Sequence, residues 1–524
     1  MKNAEDTPLE HPGVDAPRGF TLRFTIHRAL NLPIADLASF SSDPYVVARL
    51  SADLPRRSKQ DPPDLVLRTP TIHRNVNPVW DCAWIVANIP ASGFKLKCRI
   101  YDEDPVDHDD RLGNVLITAD SISDTWPGIR ERPYRVKKRM GSKRAYFVRS
   151  IAFACAKDKH LNASFVVSVE CLGRTPAAEA ARMYTVGPLY WSKHFSPLIG
   201  RLTGTKDPAL GREGKRPVTR YNFQAVQLQL KGPVPSAFYH RYVEFRPFVA
   251  GMFTSHTLLG RFLNHTLHHQ HARIYSFDQS TVYGVFPDPS YELTQQFLDF
   301  VHYGQGGRIY TYVITLDGQW RFTETGKEFA FLDLLSKHAI HSDLSIHVAY
   351  AGEFLVRRLR RDRSHPPPTT DDDIHEDVLL EQGDSATAPD DPAVYELIID
   401  NNSGTYRPDA QCLPALKKYL SMNLPGLEVT ALDCQEDAQR LDDLKTEQRE
   451  RKSMDGRQLT YMQISRSSSI SSSDEEALDE YSQAGDTEGG HTFFRQMKRI
   501  MTDPKLELVK WAETGGKARP QTVL

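Results

Sequence analysis

Between Phe20 and Gly173 the chain is written in short runs that alternate apolar and polar residues, each closed by turn residues. FTLRFTIHRA at 20–29 and KLKCRIYD at 95–102 alternate, SDPYVVARL at 42–50 follows a turn, and ASFVVSVECL at 163–172 closes the stretch. Successive side chains of a strand point to opposite faces, so each run buries one face only. Several in series, with a long first loop at 51–66, predict an antiparallel all-β sandwich.

A second folded region is expected from Tyr221. FQAVQLQLKG reads as a strand, and DPSYELTQQFLDFVHYG carries apolar residues at helical spacing. RIYTYVITLDGQWRFTET reads as a hairpin turning at Asp317-Gly318, because a DG pair accommodates positive φ. KEFAFLDLLSKHAI is an amphipathic helix with Phe331, Leu334 and Leu335 on one face. SIHVAYAGEFLV is a further strand, and YELIIDNNSGTYRP, QCLPALKKYL and LEVTALD form a β-loop-α-β unit that completes the same sheet. The predicted fold class is thus multi-domain: an N-terminal all-β sandwich over 18–173 and a C-terminal α+β domain over 221–356 and 393–434. A leader at 1–17, a connector at 174–220, an insertion at 357–392 and a tail at 435–524 separate and flank them. The insertion joins a Pro triplet to basic and acidic blocks, and the tail holds SRSSSISSSDEE. Such compositions bury too little apolar surface to order themselves, while LDDLKTEQRERK at 441–452 reads as a charged helix. The stretch 492–512 mixes Phe493, Phe494, Met497 and Ile500 with Arg495, Lys498 and Arg499, as an amphipathic helix would.

Lys+Arg 65 against Asp+Glu 67 leaves a formal net charge of −2. No overall field points to nucleic acid, and any such signal must be local. Six cysteines (82, 98, 155, 171, 412 and 434) show no CxxC pairing, which predicts a reducing, cytoplasmic setting. The first twenty residues hold no apolar h-region. No run reaches the ~18 apolar residues of a spanning helix; the nearest, Pro247 to Gly260, reads as a core element. Any contact with a membrane is expected to be peripheral.

The densest chemistry lies in IYDEDPVDHDDRLGNV at 100–115, where six of the nine residues 102–110 are acidic. Asp102 and Asp104 sit two apart at the end of an extended run and project to one side. Asp110 returns after a turn at Pro105-Val106. Carboxylates this close repel, and a hard divalent cation held by six to eight oxygens removes that penalty, calcium more readily than the smaller magnesium. A solvated acidic loop is the plain alternative. A second loop, NLPIADLASFSSDPYVV at 31–47, places Asp36 and Asp43 between two strands and supports a cage.

SDPYVV, then HRNVNPVWD at 73–81, then IYDEDPVDHDDRLG, in that order, resemble the C2 domain family of calcium- and phospholipid-binding β-sandwiches. The resemblance covers roughly 18–172. It implies that Asp36, Asp43, Asp102, Asp104 and Asp110 hold calcium, with Asp107 where an auxiliary oxygen ligand sits. Asp36 lies seven residues before Asp43, where six is the commoner family spacing. A late strand, ASFVVSVECL, resembles the family's permuted topology, in which a C-terminal strand takes the first strand's place. The α+β region resembles only fungal proteins that carry such a domain, and this implies no chemistry for it.

Leu37 and Phe40 in the first loop and Val106 in the third would enter the headgroup boundary, or pack beneath their own loops. Lys95, Lys97 and Arg99 alternate along one strand and present positive charge on one face. Residues 130–149 hold nine basic residues against one acid, suited to an anionic leaflet or simply solvated. No stacking aromatics accompany them, so nucleic acid is not expected. HTLHHQH at 265–271 has no partner set spaced to complete a zinc site. DNNSGTYRPD at 400–409 is the one loop with the composition of an active site, equally explained as a capped tight turn. GxSxG, P-loop and HExxH motifs are missing. The expected function is calcium-dependent binding of anionic phospholipid membranes by a peripheral adaptor or targeting protein, with protein partners taken by the α+β domain and tail. A membrane-targeted enzyme and a calcium-independent scaffold are the rivals.

Overall fold

A computed structural model describes residues 19–35, 41–54, 64–103, 109–137, 163–176, 182–195, 206–208, 219–221, 224–239, 281–325, 348–359, 391–404 and 406–455. The alternating runs form a sandwich of two sheets. Its strands are β1 (Phe20–Leu30), β2 (Pro44–Ser51), β3 (Leu65–Arg68), β4 (Val79–Ile89), β5 (Phe94–Asp102), β6 (Asp110–Ala119), β7 (Ile129–Arg135), β8 (Ser164–Arg174) and β9 (Tyr184–Gly187). One sheet runs β7-β8-β1-β4-β9 and the other β3-β2-β5-β6. The late strand β8 lies antiparallel beside β1, with Phe20 opposite Arg174 and Leu30 opposite Ser164. Phe20, Leu22, Phe24 and Ile26 point inward from β1 while Phe94, Leu96, Cys98 and Ile100 point inward from β5. Phe24 meets Phe94 edge to face across the gap, centroids 5.1 Å apart.

The second sheet has eight strands in the order β14-β10-β13-β16-β15-β17-β18-β19. They are β10 (Leu189–Phe195), β13 (Gln224–Gln229), β14 (Val282–Phe286), β15 (Tyr310–Thr315), β16 (Gln319–Glu324), β17 (Val348–Arg358), β18 (Tyr395–Asp400) and β19 (Glu428–Leu432). A small separate pair joins β11 (Lys206–Pro208) to β12 (Thr219–Tyr221). The expected hairpin is β15–β16, and Gly318 in its turn takes φ +80°, a value that glycine adopts without strain. Among the described strands only β18 and β19 run parallel, because helix α2 (Leu413–Asn423) carries the chain across between them.

Helix α1 (Tyr291–Phe300) begins where Ser290 accepts a hydrogen bond from the Leu293 amide, satisfying an orphan N–H of the first turn. It buries Leu293, Phe297 and Leu298, and Phe297 stacks on Trp320 with centroids 5.0 Å apart. Helix α2 has Pro414 in its first turn, where the missing N–H costs nothing, and packs Leu416, Tyr419 and Leu420 into the same core. Helix α3 (Ala438–Asp455) contributes Leu441 and Leu444 to a second, smaller cluster with Leu355, Ile398 and Leu432. These belong to the alternate residues of β17 and β18, so α3 lies on the face opposite α1 and α2.

Three expectations are corrected here. The stretch 174–220 is more than a connector: β9 adds to the sandwich sheet, and after Pro188 the chain enters β10, an inner strand of the other sheet. The insertion does not begin at 357, since Arg357 and Arg358 pair with Glu396 and Tyr395 in β17–β18. The tail does not begin at 435: the charged helix read over 441–452 is α3, which packs Leu441 and Leu444 against the sheet. Each miss has one cause: these segments are stabilised by distant strands, which local hydropathy does not reveal. The predicted helix at 327–340, the histidines at 265–271, residues 1–17, most of the 357–392 insertion and the helix at 492–512 lie outside the described residues.

The two sheets meet along a polar and aromatic seam. Across it, the Tyr190 hydroxyl on β10 donates to the Ala83 carbonyl on β4 at 2.8 Å. Arg68 Nη1 donates to the Tyr283 hydroxyl at 2.8 Å. A cleft of about 70 Å³ runs along the seam between Arg68, Trp84, Tyr190, Trp191 and Tyr283.

Candidate metal centre

Three of the predicted ligands come to one end of the four-stranded sheet. Asp43 directly precedes β2, Asp102 ends β5 and Asp110 begins β6. The register places Pro44 opposite Asp102 and Asp102 opposite Asp110, so three adjacent strand ends each carry a carboxylate. Asp102 is fully buried, Asp43 is 8 % exposed, and Asp110 is half-buried. The Asp43 amide donates to Asp102 Oδ1 at 2.5 Å, tying the first acidic loop to the third.

The pocket floor is tightly tied down. Asp43 Oδ1 accepts from the Arg74 amide at 2.6 Å, and Asp43 Oδ2 lies 3.3 Å from His73 Nδ1. Burial pushes the Asp43 carboxyl up, but the hydrogen bonds and charges of His73 and Arg74 outweigh it and hold the group below the ordinary range. The same contact with Asp43 raises His73. Both residues come from the HRNVNPVWD segment, which thereby supports the first acidic loop.

Two acids of the loop have other duties, which spacing alone did not show. Glu103 is 3 % exposed; its carboxylate accepts from Arg68 Nη2 at 2.9 Å and from the Thr71 hydroxyl at 2.5 Å. Burial pushes its carboxyl above the ordinary range, and Arg68 and Thr71 offset part of that rise. Asp109 accepts from the Tyr45 hydroxyl at 2.5 Å. The HRN segment and Arg68 precede the acidic run by some thirty residues, so no local pattern links them.

Asp36, Asp104 and Asp107, with Leu37, Phe40 and Val106, lie outside the described residues. Among the described residues, no group of three His, Cys, Asp or Glu side chains is by itself placed to hold a metal ion. The three carboxylates at the strand ends are nonetheless all-oxygen donors, the chemistry a hard cation such as calcium takes. Lys95 and Lys97 are exposed and Arg99 half-buried on the outer face of β5, alternating with its buried residues. Arg49 faces Lys97 from β2 and pairs with Asp64 at 3.7 Å. Arg130, Arg132 and Arg135 are exposed along β7, as is Lys137 beyond it.

The loop after β18 resolves as a structural turn. Asp400 Oδ1 accepts from the Glu353 and Asn402 amides. Asn401 bridges Asp433, Pro408 and the Cys434 amide. The Ser403 hydroxyl is engaged with Tyr406. Among the described residues no helix is long and apolar enough to cross a membrane.

Residues 20–132 match the family model of the C2 domain, so the N-terminal sandwich is a C2 domain. The match ends before β8, which completes the sandwich in the permuted place beside β1. Over 92 residues, 18 % of this chain, it is 30 % identical to the RasGAP-activating-like protein 1 of Homo sapiens. That stretch is 10 % of the human protein, so the chain matches about a tenth of its relative's length. Among solved structures, a C2 domain of plant extended synaptotagmin 1 is 17 % identical, with 31 % of this chain and all of that one covered and a TM-score of 0.22. Human GIVD cytosolic phospholipase A2 is 16 % identical over 41 % of this chain and 26 % of its own, TM-score 0.19. Calcium-bound extended synaptotagmin 2 is 16 % identical over 40 % and 79 %, TM-score 0.21.

Proposed function

We propose that the C2 domain binds anionic phospholipid in a calcium-dependent way, as the targeting part of a peripheral, cytoplasmic adaptor whose α+β domain and tail take protein partners. The observation that carries this reading is the meeting of Asp43, Asp102 and Asp110 at three adjacent strand ends. Asp36 and Asp104 complete the ligand set and Asp107 adds an auxiliary oxygen. When bound, calcium neutralises the carboxylates and offers open coordination to lipid phosphate oxygens. This chain's residues do the rest. Asp102 holds the Asp43 amide and so keeps the first and third loops together. His73 and the Arg74 amide keep Asp43 ionised and aimed. Leu37, Phe40 and Val106 enter the headgroup boundary, while Lys95, Lys97 and Arg99 draw the outer sheet face to the anionic leaflet at about 1 kcal/mol per basic residue near the surface.

Co-sedimentation of the full chain with phosphatidylserine vesicles, in calcium and in chelator, tests this. Pelleting is expected in calcium only, lost in Asp104→Asn/Asp110→Asn and weakened in Lys95→Ala/Lys97→Ala. Equal pelleting of the double Asn variant and wild type sinks the calcium mechanism.

A further inference from the structure

The acidic end of the C2 domain is tied to the eight-stranded sheet at Arg68, and Thr71 beside it bonds both Tyr283 and Glu103. Glu103, next to Asp102, gives its amide to the Asp43 carbonyl at 3.0 Å, and its carboxylate accepts from Arg68. Arg68 is the last residue of β3. Its guanidinium lies 3.9 Å from the centroid of the Tyr45 ring, and the hydroxyl of that ring holds Asp109. The two ends of the third loop, Glu103 after Asp102 and Asp109 before Asp110, therefore both rest on Arg68, one directly and one through Tyr45. The fork also donates to Tyr283 on β14, in the α+β domain, at 2.8 Å.

We infer that the α+β domain positions the C2 domain's acidic end through Tyr283 and Arg68, so that cation binding at Asp43, Asp102 and Asp110 is coupled to the seating of that domain. The inference rests on the metal reading above and adds its regulation: the site reaches full affinity only with β14 in place. The physical reason is the geometry of guanidinium. A planar fork with fixed donor directions holds its partners in one arrangement, and turning it toward one partner turns it away from another. With Glu103 buried, the Arg68–Glu103 pair is weakly screened, so its orientation matters more than it would in water. Arg68 also gives Glu103 a cation of its own, which leaves the neighbouring carboxylates to the metal. Coupling of this kind is reciprocal: what seats β14 strengthens the site, and what fills the site steadies β14.

Tyr283 and Arg68 are positioning residues, and the test reads affinity apart from stability. Full-length wild type, Tyr283→Phe and Arg68→Lys are titrated with terbium, read by sensitised luminescence, and with calcium in competition. Tyr283→Phe removes one oxygen and keeps the ring. It is expected to weaken calcium binding at least about fivefold with an unchanged thermal midpoint. Arg68→Lys keeps the charge but lacks the fork, and is expected to weaken binding as much or more. In wild type, saturating calcium is expected to raise hydrogen-exchange protection over 282–286, a measurement that decides the matter even if a variant fails to fold. A wild type that binds neither ion overturns the metal reading and the coupling with it. A wild type that binds, with Tyr283→Phe at equal affinity and exchange at 282–286 indifferent to calcium, overturns the coupling alone.

Discussion

At the scale of single residues, the loop between α1 and β15 is tightly constrained. His302, Tyr303, Gly304, Gly306 and Gly307 all take positive φ, between 53° and 71°. Gly307 has a second reason to be glycine: a Cβ there would stand 2.0 Å from the Gln448 carbonyl oxygen and 2.6 Å from the Lys452 nitrogen, both on α3. Gly307→Ala therefore adds left-handed strain to a backbone clash and should lower stability by about 2–4 kcal/mol, read as a lower urea midpoint. A shift under about 0.5 kcal/mol would mean that α3 does not sit against this loop. The sequence HYGQGG announces a turn; that a helix more than a hundred residues later passes over it is not written there.

At the scale of elements, α3 shows how charge can do what apolar periodicity usually does. Its apolar contribution is little more than Leu441 and Leu444, so its 18 residues read as a charged helix with no evident face to pack. The sheet face beneath it is unusually acidic, with Glu324, Glu353 and Asp400 all buried. Lys445 bridges Glu353 at 2.8 Å and Asp400 at 2.7 Å, while Lys452 reaches Glu324 at 2.7 Å beside Arg308 at 2.9 Å. Burial works against the Lys445 ammonium, but the two carboxylates outweigh it and keep it charged. Lys445→Ala leaves two buried carboxylates without their cation, and should lower stability by about 3–5 kcal/mol and open α3 to proteolysis. Wild-type resistance over 438–455 in that variant would count against the charge-held helix.

At the scale of the whole molecule, a buried histidine makes stability respond to pH. Outside the C2 domain, His302 is pushed down to about 3, first by burial and then by the nearby charges of Arg308 and Lys193, with Glu324 opposing. A group lowered on folding takes its proton in the unfolded chain first. Its neutral form therefore supports the fold fully above about pH 6.5, and the support fades toward pH 3 at about 1.4 kcal/mol per unit. The urea midpoint of the α+β domain should fall between pH 7 and pH 5. His302→Asn, which tolerates positive φ, should flatten that fall; an unchanged slope would assign it to other groups.

The period-two runs determined the sandwich, because a half-buried strand must alternate whatever its neighbours are. The DG turn and the β-loop-α-β unit were legible for the same reason: their chemistry lies within a few residues. The order and spacing of SDPYVV, HRNVNPVWD and the acidic run carried the C2 resemblance. Asp43, Asp102 and Asp110 could be named as a set, but the sequence did not show that His73, Arg74 and the Asp102 carboxylate hold Asp43. Only the tertiary structure decided that Glu103 answers to Arg68 and Asp109 to Tyr45. It also decided that the stretch after 174 belongs to both sheets, and that a charged tail segment is a packed helix. Each of these depends on a partner tens to hundreds of residues away, and a contact fixed by burial and charge across that distance leaves no period in the chain.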